Sequence, residues 1–379
     1  MAKTFKQLVL MGKGGPWEIH EKEIPTPGPG QLLVKMKASS ICNQTDLNTI
    51  KALHPPHDHQ ITLMLPHHFR QWDHRLEGDP LAKYYNSILY NREPYPTTMG
   101  HEGMGVVEAV GPRHLEDYDV LPAMGADPVF QVGDRVASVG TIGGLGEYVL
   151  APARELVKVA DNLTDEEASL TEPCMILYNI TRVTVEHNDV VCILGQGALG
   201  LLALQWAKMR GAKMVITVDP LEQKRKLSEE FGADYVLDPT TQDITAEIDK
   251  ITKGVGCDSV IECAGEPDSI SRIPYIAAWG AKIGCIGACC TPVTIDWSYI
   301  HFKGMTVYSQ MSALKAAGGT VGNSLLKAMA AMSEAKDRGQ LHLDRMITHR
   351  IKLDVDDVNR IFEEIDTKGS VVKSVMLFD

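Results

Sequence analysis

Three short runs bring together side chains able to do chemistry. Gly100-His-Glu-Gly-Met-Gly105 sets an imidazole beside a carboxylate in flexible backbone, and Ser40-Ile-Cys-Asn-Gln-Thr-Asp46 carries a thiol and a second acid upstream. Leu170-Thr-Glu-Pro-Cys174 adds a third acid far downstream. Cys, His and Glu are the ligand types of a catalytic zinc, which keeps one position open for water or a substrate oxygen. Taken singly, each residue has a plainer reading, since a lone Cys usually packs in a core and a lone His is usually structural. The fourth run, Gly195-Gln-Gly-Ala-Leu-Gly200, is a GxGxxG between an apolar strand pattern and an apolar helix pattern, the context in which the motif binds a dinucleotide. Gly195 permits a tight turn, Gly197 lets backbone approach a pyrophosphate, and Gly200 packs helix on strand, while the helix N-terminus offers free N–H groups. Asp219 lies 219 − 195 = 24 residues beyond the first glycine. There a carboxylate accepts hydrogen bonds from ribose hydroxyls and repels a 2′-phosphate, so NAD is expected over NADP. Arg225, on the following helix, is counted among the cofactor contacts, and with Lys224 it is the feature that pulls the other way.

The elements that must position these residues fall into two kinds. As far as Val159 the chain is rich in Gly, Pro and short β-prone runs, Gln31–Lys37, Gly105–Gly111, Val132–Ala137 and Glu147–Leu150, which suggests an antiparallel barrel-like domain. The stretch from about Lys51 to Thr98 carries six histidines and no clean period, and reads as a long loop serving as a lid or substrate wall. From Thr171 the pattern alternates: strand Val190–Leu194, helix Leu199–Arg210, strand Met214–Val218, helix Leu221–Phe231, strand Asp234–Leu237, a helix near Asp243–Thr252, and strands Ser259–Glu262 and Lys282–Ile286. That is a doubly wound parallel sheet. Helices Asn323–Arg338 and Val355–Thr367 and a strand Ser370–Leu377 complete the chain.

Composition excludes several classes of function. In 379 residues, 44% hydrophobic and 23% charged describe a globular chain with ample core, too apolar for disorder. A net charge of −12 disfavours nucleic acid and anionic membrane as partners. The eight cysteines form no CxxC pair, and the N-terminal run lacks a signal-peptide pattern. Reduced thiols and a cytoplasmic protein are expected.

Together these motifs, in this order, resemble the zinc-containing medium-chain dehydrogenase/reductase family, the alcohol, sorbitol and threonine dehydrogenases. The resemblance extends to the Gly-Asp-Arg-Val turn at 133–136 and the Ile261-Glu-Cys-Ala-Gly265 strand. It implies an α/β architecture with a GroES-like β-barrel catalytic domain at 1–174, a Rossmann domain at 175–312, and the C-terminal part of the catalytic domain at 313–379. It also implies His101 as a zinc ligand, Glu102 as a ligand or close neighbour, Glu172 as the acid that serves the metal or its water, Asp46 as the group fixing the His101 ring, and Thr45 as hydrogen-bonded to the substrate oxygen.

Two departures from the family pattern bear on the site. Cys42 is followed by two residues before Thr45-Asp46 where the family has one, so either Cys42 or Asn43 takes the ligand position. The family's relay histidine is here Asn48, which leaves proton release to Thr45, ribose hydroxyls or water. The cysteine-rich lobe that holds a structural zinc in many relatives has no counterpart before Tyr148, so one zinc per chain is expected. The function implied is zinc-dependent hydride transfer between NAD(H) and an alcohol or polyol, in a homodimer or homotetramer joined through Ala281–Tyr308. The alternatives are a zinc-free NAD(P)H reductase of an activated carbonyl or double bond, and a nucleotide-binding protein without catalysis.

Overall fold

A computed structural model describes residues 3–51, 95–112, 130–139, 144–289, 292–310, 313, 321–367 and 369–379. The His-rich stretch read as a lid lies almost wholly outside them. In chain order the first strands are β1 (Thr4–Leu10), β2 (Trp17–Glu23), β3 (Gln31–Ile41), β4 (Thr97–Thr98), β5 (Glu102–Val110), β6 (Arg135–Val139), β7 (Tyr148–Pro152) and β8 (Leu156–Lys158). The spine is β3, whose buried residues Leu32, Val34 and Met36 pack with Val107, Val136 and Val149. It pairs antiparallel with β5 and with β7. The register sets Ser40 opposite Glu102. Since β3 ends one residue before Cys42 and β5 begins one residue after His101, this pairing alone brings thiol and imidazole to the same end of the sheet.

The parallel sheet follows, with β9 (Val190–Leu194), β10 (Met214–Val218), β11 (Tyr235–Leu237), β12 (Cys257–Glu262), β13 (Ala277–Cys285) and β14 (Thr306–Ser309) in the spatial order β11-β10-β9-β12-β13-β14. Strand order reverses between β9 and β12, which opens a crevice at their carboxyl ends. Both faces are covered, and side chains alternate as the pleat demands. Val191, Ile193, Val215 and Ile261 join one core with the helices Thr171–Thr184 and Ala198–Met209. Leu194, Ile216, Val218, Val260 and Ile283 face a second core with the helices Ile244–Thr252 and Pro267–Ile276.

Finally, β15 (Ile347–Lys352) and β16 (Lys373–Leu377) return to the first sheet, with β16 antiparallel to β3 and Ser374 opposite Ile41. The C-terminal strand therefore lies beside Cys42. The periodic segments sit within a few residues of their expected bounds. The run expected from Val132 starts as a strand only at Arg135, because Gly133 has φ +95°, the left-handed region of a turn.

Candidate functional site

Cys42, His101 and Glu102 each offer a ligand atom, and these atoms all lie within 4.8 Å of one another. Glu102 is buried, while Cys42 and His101 are partly exposed, so the group is open on one side. The Asp46 carboxylate accepts the Cys42 N–H at 3.0 Å and faces His101 Nδ1 at 3.6 Å. It thus fixes the loop bearing the thiol and lies at ion-pair distance from the ring. The Asn43 amide points elsewhere, donating to the Val371 and Val372 carbonyls at 2.9 and 3.2 Å. Glu172 is buried at the start of the helix Thr171–Thr184, and it falls outside the compact group of three.

A buried cation that sequence reasoning missed completes the arrangement. Lys373 Nζ lies 2.5 Å from Glu102 Oε2 and donates to the Ile41 carbonyl at 3.0 Å. Ser40 Oγ donates to the same carboxylate oxygen. The signal was there to find: Lys373 is the one cation in the apolar run Val371–Leu377, and a charge on a buried strand requires a partner.

The electrostatics are those of crowded, dry acids. Burial pushes Glu172 up to about 7, with Glu102 adding to the effect and His101 and Lys373 opposing it. Burial also raises Asp46 above the usual carboxylate range. For His101, burial opposes the charged ring, but the hydrogen bond to Cys42 and the negative charges of Cys42, Asp46 and Glu102 outweigh it and hold the ring well above its ordinary value. Burial drives the Cys174 thiol well above its usual range, which leaves it an inert neighbour.

Glu172, Asp46 and His101 all bind protons more tightly folded than unfolded, so the stability they confer is complete at low pH and lost as pH rises through the folded values. The metal-free protein is therefore expected to lose stability between pH 4.5 and just above 7, the interval through which Glu172 moves. The loss should be of the order of 1–3 kcal/mol. Urea unfolding of chelator-treated protein across that range checks this, and Glu172→Gln should flatten the slope; a slope of the opposite sign would refute it.

The GxGxxG turn has the geometry its glycines predict. Gly195 has φ +87°, and a Cβ there would sit 2.8 Å from Ala264 N. A Cβ on Gly200 would lie 1.8 Å from the Gly195 carbonyl, while one on Gly197 would meet nothing within 4 Å. Gly197 is thus the open face, at the N-terminus of the helix Ala198–Met209. Asp219 is buried at the end of β10, accepting the Gln196 N–H at 2.7 Å and the Leu221 N–H at 2.8 Å. Arg225 donates to the Asp219 and Pro220 carbonyls at 2.9 and 2.7 Å and pairs with Asp238 at 2.9 Å. The two sites are joined through Gln44, whose side chain reaches from the Cys42 loop to Ala264 and Ala288 beyond β12 and β13.

As donors, a thiol, an imidazole and a carboxylate fit zinc. The charge pattern also fits a divalent cation, because among the described residues Asp46, Glu102 and Glu172 face a single permanent cation, Lys373. No helix of the described residues is long and apolar enough to cross a membrane.

The family described as zinc-binding dehydrogenase matches residues 198–325, and the alcohol dehydrogenase GroES-like domain matches residues 76–161. The chain is similar to L-threonine 3-dehydrogenase of Pyrococcus horikoshii, at 28% identity over 93% of each chain. It is similar to the enzyme of that name from Bacillus subtilis at 25% identity, over 93% of this chain and 94% of the other. In fold it resembles benzyl alcohol dehydrogenase from Acinetobacter calcoaceticus, with TM-score 0.77 and 20% identity over 100% of both chains. It also resembles 2R,3R-butanediol dehydrogenase from Bacillus subtilis, with TM-score 0.74 and 23% identity over 99% of this chain and 100% of the other.

Proposed function

This chain belongs to the zinc-containing medium-chain dehydrogenase/reductase family, and we propose that it transfers hydride between NAD(H) and a secondary alcohol at a zinc held by Cys42, His101 and Glu102. The observation that carries this reading is the gathering of those three ligand atoms within 4.8 Å, beside the crevice of the parallel sheet. Asn43, engaged by the Val371 and Val372 carbonyls, is the weaker candidate for the ligand position, and with Cys42 in the group the zinc-free reading loses its motive.

Bound there, zinc would supply a Lewis acid for the substrate oxygen. The chain's own residues do the rest. Asp46 holds the loop that carries Cys42, and Lys373 with Ser40 holds Glu102. Glu172 faces the same space from the neighbouring helix. Thr45 opens the helix Thr45–Ile50 and is assigned the hydrogen bond to the substrate hydroxyl, passing its proton to ribose hydroxyls and water because Asn48 has no basic group to accept it. Gly195, Gly197 and Gly200 cradle the pyrophosphate on the helix N-terminus. We assign 1–174 and 313–379 to the catalytic domain and 175–312 to the cofactor domain.

The names of the curated relatives favour L-threonine as the substrate. Zinc quantification followed by NAD reduction with a panel of alcohols, polyols and hydroxy-amino acids tests the reading. One zinc per chain and turnover of at least one secondary alcohol are expected; turnover in zinc-free protein would remove the metal from the reaction.

NAD rather than NADP is supported by Asp219, and by Arg225 being tied to Asp238 and two carbonyls instead of open to a phosphate. Asp219→Ala removes one ribose acceptor and one repulsive charge together. It is expected to weaken NAD binding by about tenfold, the scale of one charge-assisted hydrogen bond, and NADP binding by less. Because the carboxylate also anchors the Gln196 and Leu221 amides, the ratio of the two affinities is the quantity to measure. Equal losses for both cofactors would count against the assignment.

A homodimer joined along β14 is supported by that strand's position at the edge of the sheet. Exposed apolar side chains stand on the strand paired with it and on the helix that precedes it: Trp279 at 76%, Trp297 at 69% and Phe302 at 71% exposure. A patch of this kind marks an interface. Light scattering at micromolar concentration should give a dimer or a tetramer, and Val307→Arg with Phe302→Arg should give a monomer. A monomeric parent would overturn the proposal.

A further inference from the structure

We propose that Gln44 is a positioning residue that latches the loop carrying Cys42 to the nicotinamide side of the cofactor crevice. Its Nε2 donates to the Ala264 carbonyl at 3.3 Å and to the Ala288 carbonyl at 3.0 Å, while its Oε1 accepts the Ala288 N–H at 3.0 Å. The amide is thus paired in both directions with the backbone of one residue, Ala288, across the crevice. Ala264 follows β12 and packs against the GxGxxG turn, and Ala288 follows β13. These are the carboxyl ends of strands beyond the point where the order reverses, the half of the sheet that takes the second nucleotide of a dinucleotide. Gly265 makes room, since a Cβ there would lie 2.4 Å from Gln44 Nε2.

The neighbouring residue anchors the other side of the same loop, because Asn43 donates to Val371 and Val372 just before the buried Lys373. The additional residue between Cys42 and Thr45 thus gives this loop two amides facing opposite ways. One fastens it to the sheet that carries the ligands, the other to the sheet that carries the cofactor. Hydride transfer requires donor and acceptor carbons about 3–3.5 Å apart, and Gln44 fixes the separation of the two bodies that hold them.

The inference rests on Cys42 being a metal ligand and on the second half of the crevice taking nicotinamide. Gln44→Ala removes the latch. Gln44→Glu keeps its volume and its acceptor for Ala288 N–H, but sets a carboxylate against two carbonyls. Zinc content and ADP-ribose affinity in both variants are expected to stay within about twofold of the parent, since Asp46 and Asn43 still hold the Cys42 loop and the glycine turn keeps its own contacts. Single-turnover NADH formation, measured by stopped flow with L-threonine and with 2R,3R-butanediol, is expected to fall about 10–100-fold, the cost of a misplacement near 1 Å. The primary deuterium isotope effect should rise. Emission of bound NADH, which needs no alcohol and no zinc, should be less blue-shifted in the variants as the nicotinamide loses its enclosed position. A parent that holds no zinc or oxidises neither alcohol fails the functional reading, and NADH emission then decides the latch alone. Unchanged emission, or hydride transfer within threefold of the parent in both variants, overturns it; so does loss of zinc in Gln44→Ala, which would make Gln44 a support of the metal loop only.

Discussion

His101→Ala is expected to yield a folded protein that retains neither zinc nor hydride transfer. The imidazole is the one nitrogen donor among the three gathered ligand atoms, and an alanine leaves two donors where a catalytic site needs three. Cys42→Ser should do nearly as much, since a hydroxyl at neutral pH is a poor substitute for a thiolate. The loss should exceed the ~10–100-fold that follows removal of a group merely supporting a ligand. Asn43→Ala, in contrast, should keep its zinc, because its amide is spent on the Val371 and Val372 carbonyls. The two acids separate in the same experiment: Glu102→Ala should cost metal, and Glu172→Ala, outside the compact group, should cost rate more than occupancy. Metal analysis with NADH formation measures both quantities, and retained ADP-ribose binding certifies the fold. Full activity in both His101→Ala and Cys42→Ser would end the zinc mechanism and restore the zinc-free reading.

Much of the architecture was legible because its signals are local. The strands Val190–Leu194 and Met214–Val218 are continuous apolar runs, and the helix Val355–Thr367 shows a clean amphipathic period. These patterns hold whatever surrounds them. The GxGxxG was legible for the same reason, as its glycines answer to contacts within their own turn and with Ala264. What local pattern could not supply was the pairing of β16 with β3, a contact between the two ends of the chain. Lys373 reads as a strand residue until that pairing sets it beside Glu102, and Ser40 as a strand end until the β3–β5 register sets it opposite. The choice between Cys42 and Asn43 was open for a related reason: spacing counts residues, whereas the direction of the Asn43 amide depends on carbonyls at the far end of the chain. In sequence Gln44 is only an additional residue, since its partners lie on the other sheet.

Lys373→Met is expected to destabilise the protein by about 3–5 kcal/mol, the cost of stranding one partner of a buried ion pair. Both side chains are almost fully buried, Lys373 at 3% exposure and Glu102 at 2%, so water cannot replace the lost partner. Against a typical total of about 5–15 kcal/mol, that is a large share. Most of the loss arises from the carboxylate left behind, so Lys373→Met combined with Glu102→Gln should recover stability. The glutamine carries no charge to strand and can still accept from Ser40. The double variant should not recover zinc, because an amide is a poor ligand beside the carboxylate it replaces. Zinc should reduce the penalty of the single variant, since a divalent cation beside Glu102 offsets part of the charge that Lys373 balanced. Urea midpoints of the parent and both variants, with zinc and after chelation, give all of these quantities in one series. Equal midpoints for Lys373→Met and the parent after chelation would show that the buried pair contributes nothing to the fold, and the account of how Glu102 is held in place would fall with it.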